Sequence, residues 1–94
     1  MQRLTIFHLN NCPYCHNAQR AVAELIDENP VYAGVPIEWI EETQQYALAN
    51  SFDYYYVPSV YIGREKLYEA RPFEKYEDCK ANLKAALDTA LAGE

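Results

Sequence analysis

Two thiols stand three positions apart in Cys12-Pro13-Tyr14-Cys15, after an apolar run and before a helix-like one. That spacing lets a disulfide form and break within one helical turn, so the chemistry it suggests is thiol–disulfide exchange. The nucleophile in such exchange is the thiolate. An ordinary thiol with a pKa near 8.5 is only about 3 % ionised at pH 7. Cys12 falls at the expected start of a helix, where unpaired N–H groups and the helix dipole favour an anion. Helix N-termini and CxxC pairs bring cysteine pKa values to about 3.5–7.5, which raises the ionised fraction roughly tenfold or more. Cys15, one turn further in, is expected to stay protonated and less exposed. The resulting cycle has Cys12 attack a disulfide to form a mixed disulfide, which Cys15 then resolves. That second step is intramolecular and gains from a high effective concentration. Tyr14, between the two thiols, is expected to line the sulfur site.

The same residues admit other chemistries. Cys12 and Cys15 could be unreactive core residues, or half of a zinc site that has no second pair. Cys12-Pro13-Tyr14-Cys15-His16 also matches the attachment motif of c-type haem. Haem c needs a second axial ligand, yet the single methionine is Met1 and the other histidine is His8. Cys79 lies between Tyr76 and Leu83 on an apolar stripe and is expected to be a core thiol. His8 is expected to be a satisfied strand-end histidine rather than a base, and Trp39 a core residue. Arg64, Lys66 and Arg71 are expected to be solvated charges.

The elements that must hold this pair fit one domain spanning residues 1–94. Half of the residues are hydrophobic and 23 % are charged, so the chain can build a core and is not a solvated, disordered one. The net charge is −6 with no basic cluster, which argues against nucleic acid as a partner. No stretch approaches the length of a membrane span. The N-terminal residues run directly into a strand pattern and leave no room for a signal peptide. A cytoplasmic location is the expectation, and in a reducing cytosol a close cysteine pair reads as catalytic rather than structural.

Leu4-Thr5-Ile6-Phe7-His8-Leu9 reads as a buried strand. Asn10-Asn11 forms a turn, and Pro13 suits the first position of a helix, where a missing N–H costs nothing. Apolar residues at Ala18, Ala21, Val22, Leu25 and Ile26 mark one helical face, which Asn29-Pro30 ends. Val31 to Pro36 reads as a loop and Ile37 to Ile40 as a second strand. A short helix is expected to open at Glu41-Glu42-Thr43 and to end between Asn50 and Asp53. Tyr54, Tyr55 and Tyr56 lead into Val57-Pro58. Ser59 to Ile62 and Lys66 to Glu69 flank Gly63-Arg64, and glycine first in a two-residue link predicts a type II′ antiparallel hairpin. Phe73, Tyr76, Cys79, Leu83, Ala86, Leu87, Ala90 and Leu91 fall on one stripe of a last helix that Pro72 permits. The order is β-α-β-α-β-β-α. A right-handed crossover makes the first two strands parallel neighbours, and helices should cover both faces of the sheet.

The Cys-Pro-Tyr-Cys at the start of the first helix, Val57-Pro58 ahead of the third strand, and this element order resemble the glutaredoxins. The resemblance implies a thioredoxin-like fold with a four-stranded mixed sheet. It also implies a third strand antiparallel to the first and beside it, which sets a cis Val57-Pro58 next to Cys12. Val57 and Pro58 would then contact the substrate, the backbone of Val57 pairing with an extended segment. The implied activity is thiol–disulfide oxidoreduction on protein or mixed disulfides, with glutathione or a thioredoxin-reductase-like protein as electron donor and no bound cofactor or metal. Glutathione-using members carry a lysine shortly before the first cysteine and a Gly-Gly turn after the last strand. This chain has His8-Leu9 and Ala70-Arg71-Pro72 in those places, which argues against glutathione. The alternative of another class is a binding or iron–sulfur-carrying module on the same fold, without turnover.

Overall fold

The computed structural model describes residues 1–93. Four strands, β1 (Leu4–His8), β2 (Ile37–Glu41), β3 (Ser59–Ile62) and β4 (Glu65–Glu69), form one sheet in the order β2-β1-β3-β4. β1 and β2 are parallel, while β1–β3 and β3–β4 are antiparallel. The helices are α1 (Pro13–Glu28), α2 (Tyr46–Asn50) and α3 (Tyr76–Ala92). This is the mixed four-stranded architecture expected from the sequence.

Alternation along β1 divides the molecule into two cores. Leu4 and Ile6 face α1 and α3, in a cluster with Ala18, Leu25, Val60, Leu83 and Leu87. Phe7 faces the other way, with Ile40, Ala49 of α2 and Tyr61, and with Phe52, Tyr54 and Val57 packed around them. The first core is broad. The second is a small aromatic box, in which the Phe7 ring lies 4.8 Å from Phe52, 5.2 Å from Tyr54 and 5.7 Å from Tyr61. Cys79 is buried in the first core, and Trp39 packs against it half-buried.

Local chemistry explains the boundaries. Asn29 ends α1 and turns its side chain to the N–H of Val31, starting a 3₁₀ turn, Pro30–Gly34, where a plain loop was expected. Gly63 sits at φ +58 in the link between β3 and β4, as a type II′ turn requires. Two expectations fail. The second helix begins at Tyr46, not at Glu41, because Glu41 closes β2 and its carboxylate folds back onto the N–H and hydroxyl of Thr43 at 2.6 and 2.7 Å. The last helix begins at Tyr76, with Glu77 and Asp78 in its first turn, so Phe73 is not on its buried stripe. Phe73 instead lies in the preceding turn at φ +63, with 93 % of its surface exposed. Among the described residues, no helix is long and apolar enough to cross a membrane.

Candidate active site

The cysteine pair sits where β1 ends and α1 begins. Cys12 is the N-cap of α1: its backbone is extended, and its sulfur accepts the N–H of Cys15 at 3.4 Å. Pro13 fills the first helical position, as its fixed φ favours. The Cys12 sulfur is half-buried, and its thiol points to the carbonyl of Val57 at 3.8 Å. Cys15 is fully buried, and its sulfur accepts the N–H of Leu9 at 3.4 Å. The carbonyl of the same peptide group, on His8, accepts the N–H of Glu42 at 2.9 Å. One peptide unit thus ties the inner sulfur to the segment that follows β2.

Burial pushes the Cys15 thiol from 9.0 up to about 12. The Leu9 N–H pulls it back, while the Cys12 thiol and the charge of Glu42 push the same way as burial. Glu42 is itself fixed by the Tyr54 hydroxyl, which donates to its Oε1 at 2.6 Å. Burial likewise raises Tyr54, Tyr68 and Cys79. Each of these groups is neutral when protonated, and each holds its proton more tightly folded than unfolded. They therefore stabilise the fold fully below their unfolded pKa values, and that contribution is lost as pH rises through the folded ones. The melting temperature should hold near neutral pH and fall above about pH 9. A melting temperature unchanged up to about pH 11 would contradict this burial of thiols and phenols.

The structure brings the sequence-predicted residues together. Val57 and Pro58 lie across from Cys12, and the bond between them is cis. Tyr14 is half-buried, and its hydroxyl accepts the N–H of Phe73 at 2.7 Å. His16 donates its Nε2 proton to the carbonyl of Asn10 at 2.6 Å, in the turn ahead of Cys12. His8 corrects an expectation: it is 7 % exposed, edge-on to Trp39, and its buried Nδ1 has no partner. Of the cations, Lys66 pairs with Glu69 at 2.7 Å, and Arg64 lies over the Phe52 ring at 4.1 Å and donates to the Ser51 carbonyl. Arg71 is exposed and forms no ion pair among the described residues. Sequence reasoning missed Glu69. Its Oε2 takes the N–H groups of both Tyr55 and Tyr56 at 2.8 Å and fixes the segment leading to Val57. No spacing rule signals a contact made across a hairpin.

A vicinal thiol pair on a strand-to-helix junction, with a cis-proline segment opposite, defines a thioredoxin-like fold. The glutaredoxin family model matches residues 4–67, and the chain belongs to the glutaredoxin family. Among solved structures, oxidized glutaredoxin 2 from Chlamydomonas reinhardtii aligns with a TM-score of 0.52 at 22 % identity. That alignment covers 96 % of this chain and 79 % of the other, and it is a likeness of fold. Comparison with curated proteins finds no match. The family match ends ahead of Tyr68, so the 70–75 turn and α3 lie beyond it.

Proposed function

We propose that the protein is a dithiol thiol–disulfide oxidoreductase with Cys12 as nucleophile and Cys15 as resolving thiol. One observation carries this reading. Cys12 caps α1 half-exposed and accepts the N–H of Cys15, whose own sulfur lies buried one turn further in. The outer sulfur can meet a substrate and the inner one is kept from it. The Cys12 thiolate attacks one sulfur of the substrate disulfide, a Cys12–substrate disulfide forms, and the other substrate sulfur leaves and takes up a proton. Cys15 then gives up its proton and attacks Cys12 Sγ. The second substrate thiol leaves, and Cys12–Cys15 becomes the disulfide. The substrate gains two electrons and two protons, and an external thiol donor returns them to the protein.

Val57 and Pro58 border the entering disulfide, and Tyr14 walls the sulfurs from the α1 side. The donor is a thioredoxin-reductase-like protein or glutathione, in a reducing compartment such as the cytoplasm. A small disulfide in slight excess should oxidise the reduced protein and lower its alkylatable thiols from three to one. Peptide mapping should find Cys79 as the remaining thiol. A count that stays at three, or falls through Cys79, overturns the assignment.

A further inference from the structure

Among the described residues, one buried side-chain polar atom has no hydrogen-bond partner, the Nδ1 of His8. Buried polar atoms are nearly always paired, and an orphan in a native interior calls for a reason, catalysis among them. Its position supplies one. Leu4, Ile6 and His8 alternate onto the face of β1 that α1 covers, and the His8 ring meets Trp39, which packs on the same core. Cys15, Ala18, Val22 and Leu25 form the buried stripe of α1. The helix links the parallel strands β1 and β2 and runs back along β1, so its first turn lies over the end of that strand. The imidazole and the inner thiol therefore share one layer at one end of the sheet. The Leu9 amide, bonded to the His8 carbonyl carbon, reaches the Cys15 sulfur at 3.4 Å.

Cys15 must lose its proton to resolve a mixed disulfide, yet it is sealed from solvent and burial holds that proton up to about 12. The ionisable groups that neighbouring elements bring to this end of the sheet are Cys12, Tyr14 and His16 at the start of α1, and Glu41 and Glu42 at the end of β2; Tyr61 of β3 belongs to the other core. Most are committed. Cys12 is the sulfur under attack, Tyr14 is turned to Phe73, and His16 bonds the Asn10 carbonyl. Glu41 takes Thr43 on one oxygen and the Asn10 N–H on the other. Glu42 is turned to Tyr54 of the second core. His8 is the uncommitted base. It stands opposite Glu41 in the β1–β2 register, and Thr43 first, then the Asn10 amide and His8, hold that carboxyl below its ordinary range. A fixed carboxylate thus stands by to steady an imidazolium.

We propose that His8 is the internal base of the resolving step and takes the Cys15 proton at Nδ1. This role presupposes the dithiol reading above. As Cys15 Sγ bonds to Cys12 Sγ, the bond between Cys12 and the substrate breaks and its electron pair leaves on the substrate sulfur, while the Cys15 proton passes to Nδ1. The departing sulfur takes a proton from solvent. The imidazolium returns its extra proton to water through the 7 % of the residue that solvent reaches. Nδ1 is unbonded in the reduced resting form, and contacts of this kind commonly close only in the working complex.

Rapid mixing of the reduced protein with a large excess of a peptide disulfide, quenched in acid and read by intact mass, separates formation of the Cys12 mixed disulfide from its decay to the Cys12–Cys15 disulfide. His8→Asn retains a short polar side chain that cannot act as a base. It should form the mixed disulfide at the wild-type rate and slow its decay at pH 7 by about tenfold or more. The wild-type decay rate should show a titration step between about pH 5 and 8, whereas the His8→Asn rate should rise with pH without one. Equal decay rates in the two proteins overturn the proposal. So does a slowing of formation and decay by the same factor, which marks general damage. If His8→Asn does not fold, the wild-type profile decides, and a decay rate with no step in that range overturns the proposal. Cys15→Ser protein tests the reading beneath it. If that variant never acquires the mass of the peptide, the dithiol cycle itself fails. If it does, while decay in the intact pair ignores His8, only the role of His8 falls.

Discussion

Replacing Cys12 with serine should bring disulfide reduction down to the rate seen without protein, a loss of about a thousandfold or more. A hydroxyl at the cap of α1 can still accept the N–H of Cys15, so the fold has no reason to change. It cannot act as a thiolate. Cys15 does not rescue the reaction, because its sulfur is fully buried and its proton is held up to about 12. Cys15→Ser should behave differently. It retains the outer nucleophile and loses the resolving step, so a mixed disulfide with the substrate should accumulate. Intact-mass spectra of both variants after brief exposure to a peptide disulfide check this. A Cys12→Ser protein that reduces the peptide at full rate, or a Cys15→Ser protein that never acquires its mass, removes the assignment.

Phe7→Ala should destabilise the protein by about 3–5 kcal/mol, the usual range for emptying a buried aromatic site. Against a total of about 5–15 kcal/mol for a domain, that is a large share. Phe7 is fully buried and meets the rings of Phe52, Tyr54 and Tyr61. The second core holds few other residues that could collapse into the space. Its backbone also pairs with Ser59, beside Pro58, and Val57 packs on the same cluster. The loss should therefore loosen the wall opposite Cys12 as well as the fold. Denaturant unfolding of the variant measures the first effect. A change below about 1 kcal/mol would mean that the aromatic box adds little to the sheet's second face.

Local pattern carried much of this architecture. The β-branched run of β1, Pro13 after Cys12, the glycine of the β3–β4 link and the stripe from Cys79 to Leu91 are each short-range signals, and each lies where its pattern places it. The failures share a cause. Helical periodicity extends the stripe back to Phe73, but Pro72 and a left-handed residue break the chain before α3 starts. The acidic pair Glu41-Glu42 resembles a helix opening, until the carboxylate of Glu41 takes the N–H and hydroxyl of Thr43. The site was legible in its sulfurs and its proline, not in what braces them. Glu69 lies 13 residues from Tyr56, and Tyr14 lies 59 from Phe73. Such contacts exist only after the sheet has formed. The same is true of the unpartnered nitrogen of His8, whose burial depends on Trp39 from a neighbouring strand.

The groups that touch the two sulfurs at the mouth of α1 are the Cys15 and Leu9 amides and the Val57 carbonyl, all of them main chain. Their support is therefore indifferent to which side chains occupy positions 9 and 57. Mutational drift there can reshape what the pocket welcomes while its electrical setting endures. Proline at position 9, which would delete the amide itself, is the one natural replacement that would strip the inner sulfur of this contact.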